Sequence, residues 1–346
     1  MKFSLFVHME RITAEQSHRQ LYDEFLQLSL MAEAGGMTTV WTGEHHGMDF
    51  TIAPNPFINL ADLAARTSTI RLGTGTIVAP FWHPIKLAGE AAMTDIICNG
   101  RLELGLARGA YSYEYERMVP GLDAWQAGLR LREMVPALKG LWHGDYELDG
   151  EFHSFPSTTS APKPLQTNGP PLWIAARDEN THQFALQNGC NVQVTPLWQG
   201  MDEIQHLIEV YQAAQVAAQR QDSKIMLLQH CYVGKDQADV TQACEEISRF
   251  YCYFGAWFKN ERPVQQGFIQ PLSESEINAL EMYSPSVMAN NMPIGEASQV
   301  VQRIKQYEQL GYDEFSFWID SGMSFDRKQA SLKRFIDKVM PHFTDD

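Results

Sequence analysis

The sequence predicts an α/β protein of the (β/α)8, or TIM-barrel, class. Three observations carry this. Eight short apolar runs are each followed by a stretch of helical character. Strict strand–helix alternation implies a parallel sheet, and eight units are the number that closes one. The 346 residues contain no internal repeat and no linker-like stretch, so 1–346 reads as a single domain. Such barrels take up about 250 residues or more. An open, doubly wound sheet is the competing architecture.

Residues 1–8 run apolar with alternation, a first strand, and 14–34 carry Leu21, Phe25, Leu28 and Met31 at helical spacing until Gly35-Gly36 stops them. The second strand is 38–41, a helix follows at 59–66, and the β-branched run 70–77 is the third strand. Pro84 opens a helix that reaches Cys98 and ends at Asn99-Gly100. The fourth strand is 102–107, with a helix at 125–142 and a Pro-, Ser- and Thr-rich loop at 149–169. Strand five is 172–176 with helix 180–188, and strand six is 192–195 with helix 201–220. Strand seven is 225–233 with helix 237–258. A helix at 296–310 is stopped by Gly311, strand eight is 315–319, and 327–339 is the closing helix. One segment, 259–293, is long for a connection in a compact domain. It reads either as a surface excursion or as a mobile lid over the barrel mouth.

Composition narrows the function. Lys+Arg 27 against Asp+Glu 42 gives a formal charge of -15, which repels nucleic acid, and no basic stripe offsets it. With 44% apolar residues and a mean hydropathy of -0.29, the chain has ample material for a core. No apolar run approaches the roughly 20 residues a bilayer crossing needs, so no membrane role is expected. The first seven residues are too short and too quickly polar for a signal peptide. Five scattered cysteines, odd in number and without a Cys-x-x-Cys pair, suit reduced thiols in a cytoplasmic compartment.

Barrel active sites lie past the C-terminal ends of the strands, and there the chain places titratable groups. Val40-Trp41 ends at Gly43 and delivers Glu44, His45 and His46 to one spot. Gly75, Thr76, Trp82 and His83 follow strand three, and Arg108, Gly109, Tyr111 and Tyr113 follow strand four. Arg177, Asp178 and Thr181 follow strand five, and Thr195, Pro196 and Trp198 follow strand six. Arginine and free amides at a helix start suit a phosphate, and aromatic walls suit a planar ring. Each arginine can equally pair with one of the many carboxylates.

A metal centre is the main rival for Glu44-His45-His46. Adjacent residues on extended chain point to opposite sides, and strand one offers only His8, followed by Met9 and Glu10, so no metal is expected. There is no His-Glu-x-x-His and no Gly-x-Ser-x-Gly elbow. Gly73-Thr74-Gly75 begins like a dinucleotide fingerprint, but Val78 stands where its third glycine belongs.

In order and spacing, these residues resemble the bacterial luciferase-like family of flavin-dependent monooxygenases. The likeness runs from Met1-Lys2-Phe3 through Glu44-His45-His46, Pro54-Asn55-Pro56, Gly73 to Val78, His83-Pro84, Gly100-Arg101 and Gly105 to Gly109, to Pro293-Ile294-Gly295. It implies the barrel, and FMN supplied as reduced FMNH2 by a separate flavin reductase. It further implies reaction with O2 to a flavin hydroperoxide that oxygenates a small organic, largely apolar substrate, in a homodimer formed through helices of the second and third units. His45 matches the histidine that acts beside the flavin; an imidazole, with an ordinary pKa of about 6.5, can take or give a proton there. Glu44 would orient it or its neighbour. Gly75-Thr76 matches a pair joined by a cis peptide under the flavin ring, Arg108 matches a phosphate ligand, and Ala175, Ala176, Arg177, Asp178 and Thr181 match the segment around the ribityl phosphate. Trp82, His83, Tyr111 and Trp198 would shape the substrate space.

The chain departs from the family at Ala107, where the light-emitting subunit has a cysteine, and at Arg177-Asp178, which replaces a Glu-Ser pair. Gly128 lies at the register of another family arginine, with Arg130 nearby. A deazaflavin-dependent oxidoreductase of the same barrel superfamily and a non-catalytic flavin-binding protein are the alternatives.

Overall fold

Eight parallel strands form a closed ring in the computed structural model, which describes residues 1–11 and 13–343. They are β1 (Lys2–Phe6), β2 (Thr39–Thr42), β3 (Arg71–Val78), β4 (Leu102–Ala107), β5 (Leu172–Ala175), β6 (Asn191–Val194), β7 (Ile225–His230) and β8 (Glu314–Trp318). Each pairs with its chain neighbours, and β8 returns to β1 with Lys2 opposite Glu314 and Phe6 opposite Trp318. The expected barrel is therefore the observed one.

The two-residue alternation of the strands sorts the core into two layers. Leu5, Val40, Leu104, Leu227 and Phe317 point outward into the main cluster under the helices. Phe6, Trp41, Trp173, Met226 and Trp318 point inward, in a second cluster that continues upward into a helical roof. Inside the ring, Trp173 Nε1 donates to Glu103 at 2.7 Å and Trp41 Nε1 to Glu314 at 3.3 Å. The fingerprint-like glycines belong to this packing. A Cβ at Gly73 would lie 2.1 Å from the Trp41 indole, and one at Gly75 would lie 2.7 Å from the Phe6 ring.

The helices are α1 (His18–Ala34), α2 (Pro56–Ala64), α3 (Pro84–Ile97), α4 (Ser112–Met118), α5 (Ala124–His143), α6 (Glu179–Gln187), α7 (Met201–Ala218), α8 (Gln237–Lys259), α9 (Glu274–Asn278), α10 (Pro285–Asn291), α11 (Ala297–Leu310) and α12 (Phe325–Lys338). Three local expectations change. Strand seven ends at His230, and Tyr232–Gly234 leaves the barrel to pair with Ile294–Glu296. The loop at 149–169 holds half of a hairpin, Tyr146–Asp149 against Ser154–Thr158, whose short strands turn only Tyr146, Leu148 and Phe155 toward the core and so give little apolar signal. The short α4 also had no counterpart in the sequence pattern.

Segment 259–293 is folded onto the rim. It contains the hairpin Val264–Gln265 and Phe268–Ile269, then α9 and α10. Asp49 N donates to Gly267 O at 2.9 Å on the β2 side. On the β6 side, Asn291 Nδ2 donates to Trp198 O at 2.9 Å, and Tyr283 meets the Trp198 ring edge-on at 5.0 Å. Among the described residues, no helix is long and apolar enough to cross a membrane.

Candidate active site

Past β2 the chain crosses the barrel mouth at Gly43, where a Cβ would stand 2.3 Å from His8 Nε2; only glycine permits that approach. The next residues diverge. Glu44 turns inward, and its Oε2 accepts from Val78 N at 2.8 Å while Trp82 Nε1 reaches both oxygens at 2.9 and 3.0 Å. Its Oε1 lies 2.6 Å from His46 Nε2. Of the two roles expected for Glu44, the structure thus shows the one on the neighbour. Burial pulls the His46 imidazole down, but the hydrogen bond and charge of Glu44, with the charge of Glu114 added, hold its pKa above the ordinary value.

His45 turns the other way and is held by a residue that sequence reasoning missed. Its Nδ1 lies 3.0 Å from Glu114 Oε2, while Glu114 Oε1 accepts from His46 N at 2.7 Å. One buried carboxylate from the first turn of α4 therefore fixes both the ring and the backbone of the histidine pair. With Nδ1–H donated to that carboxylate, Nε2 is the nitrogen left to accept a proton. The ring stands edge-on to His8 at 5.0 Å and to Tyr111 at 5.3 Å. It lines a cavity of about 390 Å³ with Met48, Asp49, Thr51 and Gly267.

Across from β2, the tips of β3, β4 and β5 form a shelf. Gly75, Thr76, Ala107 and Ala175 are small and half-buried at the ends of otherwise largely buried strands. The Gly75–Thr76 peptide is cis, as the family resemblance implied, and the β3–β4 ladder slips register between Thr74 and Ile77. Ala176 is buried behind the shelf. The two arginines separate here. Arg177 Nη2 is committed to Glu203 at 2.6 Å and Gln199 at 2.8 Å. Exposed Arg108 donates to Ala124 O at 3.1 Å and, among the described residues, forms no ion pair. Asp178 caps α6 through Thr181 N at 3.0 Å and Thr181 Oγ1 at 2.8 Å. Burial would raise the Asp178 carboxyl, but the Thr181 bonds and the Arg108 charge hold it below the usual carboxylate range. A shelf of small residues fits a planar ring, and an unpaired guanidinium fits a phosphate.

The expected substrate residues scatter. Tyr111 is buried beside His45, with its ring 4.7 Å from Phe258. Trp198 faces Tyr283 and a second cavity at the β6 end. Trp82 instead supports Glu44 from within, and His83 caps α3 on the exposed rim through Ile85 N. Four buried residues missed as site candidates stand on the far side of His45: His8 and Glu10 after β1, His230 ending β7 and Trp318 ending β8. The only sequence signal for them is polarity or bulk at a strand end. Among the described residues, no group of three or more His, Cys, Asp or Glu side chains is disposed to hold a metal ion.

A closed barrel with a carboxylate-held imidazole and small residues at its mouth suits an oxidoreductase of the flavin-dependent class. The chain belongs to the luciferase-like monooxygenase family, whose pattern it matches over residues 1–314. It is 62% identical to the oxygenase component of the flavin-dependent trigonelline monooxygenase of Acinetobacter baylyi, over 100% of this chain and 96% of that one. It is 26% identical to the alkanal monooxygenase alpha chain of Photorhabdus luminescens, over 75% of this chain and 69% of that one. The monooxygenase RslO1 of Streptomyces bottropensis superposes with a TM-score of 0.83 at 25% identity, covering 99% of this chain and 100% of that one. The protein is a flavin-dependent monooxygenase.

Proposed function

We propose that this chain is the FMNH2-using oxygenase component of a two-component system, served by a separate flavin reductase, and that it oxygenates trigonelline or a closely related N-methylpyridinium carboxylate. The His45–Glu114 pair and the small-residue shelf carry the flavin reading, and the 62% identity to the trigonelline monooxygenase oxygenase component carries the substrate. Gly75, Thr76, Ala107 and Ala175 hold the flavin ring, and Arg108 takes the phosphate. Ala176, Arg177, Asp178 and Thr181 shape the turn beside it, with Arg177 tying that turn to α7 through Glu203.

Reduced flavin, when bound, supplies the activation of O2. The chain supplies the proton handling and the exclusion of water. His45 Nε2 takes and returns a proton at the reacting atoms, while Glu114 keeps Nδ1–H in place and stabilises the imidazolium. Glu44 acts at one remove through His46. Segment 259–293 and the aromatic ring of Tyr111 keep water from the reacting centre.

Exposed Ile58 on α2 with Met93, Ile96 and Ile97 on α3 support dimerisation through that face. All five cysteines are free and buried, which suits a reducing cytoplasm. The test is oxygen consumption with reductase-supplied FMNH2, with and without trigonelline, followed by mass analysis of product made under ¹⁸O2. Trigonelline-dependent uptake and one labelled atom are expected. Uptake unchanged by trigonelline removes the substrate assignment, and activity only with a deazaflavin removes FMNH2.

A further inference from the structure

Four side chains on the far side of His45 share an anomaly. His8 Nδ1, both carboxyl oxygens of Glu10, His230 Nε2 and Trp318 Nε1 are buried without a well-formed hydrogen bond among the described residues. The Trp318 N–H is nonetheless near enough to Glu10, and the Asp320 backbone to His230, to act on their charge. Buried polar groups are nearly always paired, and each that is not carries its desolvation cost uncompensated. Here they come from the ends of three adjacent strands, β7, β8 and β1, and converge. His8 Nδ1 lies 3.9 Å from Glu10 Oε1, too far for a hydrogen bond. The His230 ring stacks on Trp318 at 3.9 Å, and Trp318 stands 5.6 Å from the His8 ring.

The charge pattern of this cluster says what would suit it. Its other carboxylate, Asp320, is already compensated by Lys328 at 3.3 Å and by His8 N at 2.6 Å. Glu10 has no charged partner of its own among the described residues: the His8 ring 3.9 Å away is held neutral, and Lys328 is engaged by Asp320. Burial first, and the Asp320 charge second, push its carboxyl well above the usual range, with Lys328 and the Trp318 N–H pulling partly back. Both imidazoles are held neutral. Burial, followed by the charges of His45 and His230, lowers His8; burial pushes His230 down to about 3 against a pull from the Asp320 backbone. A neutral pair of imidazoles offers an anion no opposing charge. A lone carboxyl among π faces gives an organic cation what it needs. Phe254 meets Trp318 edge-on at 5.9 Å, and Tyr251 bonds His230 Nδ1 at 2.9 Å, so the wall is aromatic on two sides.

We infer that Glu10, seated between Trp318, His8 and His230, is the counter-ion of a pocket that receives the quaternary N-methylpyridinium end of the substrate, one ring away from His45. The inference rests on the substrate class proposed above and names the residues that read its charge. Glu10 is the residue that tells an N-methylated ring from its unmethylated, uncharged counterpart.

Calorimetric titration of the purified full chain with trigonelline, with N-methylpyridinium chloride and with nicotinate tests this. Trigonelline is expected to bind the natural protein about tenfold or more tighter than nicotinate. Glu10→Gln, which keeps the shape and removes the charge, is expected to bring trigonelline down to the nicotinate level while FMN affinity is unchanged. Trp318→Phe is expected to weaken it several-fold. Equal binding of trigonelline and nicotinate to the natural protein overturns the inference without any variant, and so does the absence of pyridinium binding. A folded Glu10→Gln protein with natural trigonelline affinity overturns it too. Trigonelline-driven oxygen uptake with an unchanged KM in Glu10→Gln sinks the pocket but keeps the substrate; pyridinium discrimination without oxygen uptake does the reverse.

Discussion

The two sides of the barrel mouth are built on opposite principles. On the β2 side, Glu44 and Glu114 each take several donors: Glu44 from Val78, Trp82 and His46, Glu114 from His45 and the His46 backbone. Across the opening, at the ends of β7, β8 and β1, His8, Glu10, His230 and Trp318 hold polar atoms without a well-formed hydrogen bond among the described residues. The first side is a finished device, with its hydrogen bonds closed before any ligand arrives. The second is one partner short. The contrast separates groups that work on the reaction from groups that recognise what reacts.

The largest test of this division is His45→Ala. Loss of a positioned acid–base group is expected to lower substrate-dependent oxygenation about 10²–10⁴-fold, with FMN affinity within about twofold of natural. Product formation under supplied FMNH2 and flavin titration measure the two. Glu114→Gln sharpens it. The amide offers the imidazole a donor where it had an acceptor, so the ring is expected to lose its productive tautomer. We expect kcat to fall about 10- to 100-fold at unchanged KM. A fall in KM-dependent and thermal parameters alone would assign Glu114 to structure instead.

Much of this architecture is legible in the residues and some is not, for physical reasons. Eight apolar runs with helical stretches between them suffice for a barrel, because the period of burial is written into each element. Glu44, His45, Gly75 and Arg108 are legible as strand-end residues once the strands are placed. Glu114 is not, since α4 is two turns long and mixes tyrosines with charges, leaving no apolar stripe to announce a helix. His8 and Glu10 follow a strand in plain view. Their interest arises only from what surrounds them in space, which no spacing along the chain encodes. The same holds for the arginines. Arg108 and Arg177 look alike in sequence, and it is Glu203 on α7 with Gln199 before it that distinguishes them.

That pair gives the next test. Arg108→Ala is expected to weaken FMN about 10- to 100-fold, the worth of charge-assisted hydrogen bonds to a phosphate. Arg177→Ala, which releases an exposed ion pair, is expected to change FMN affinity about twofold or less. Equilibrium titration of both variants decides it, and the reverse order would move the phosphate to the β5 side of the shelf.

The smallest effect is in how stability follows pH, and here the two sides pull in opposite directions. His46 is held above its ordinary pKa, so the stability from its bond to Glu44 is full below about pH 6.5 and fades as pH rises through the raised folded value. His8 and His230 are held below theirs, so the fold keeps their contribution above about pH 6.5 and loses it as pH falls toward the lowered folded values. Two fully buried imidazoles outweigh one at the edge, and the natural protein is expected to lose thermal stability on the acid side. His46→Gln is expected to make that loss steeper by about 2 °C or less between pH 7 and pH 5, since only the term that opposed it is gone. His230→Asn is expected to flatten it, because a neutral amide has no proton to gain on unfolding. Melting curves of the three proteins across that range check both signs. A profile of the same shape in all three would place the acid sensitivity outside the barrel mouth and remove the contrast between its two sides.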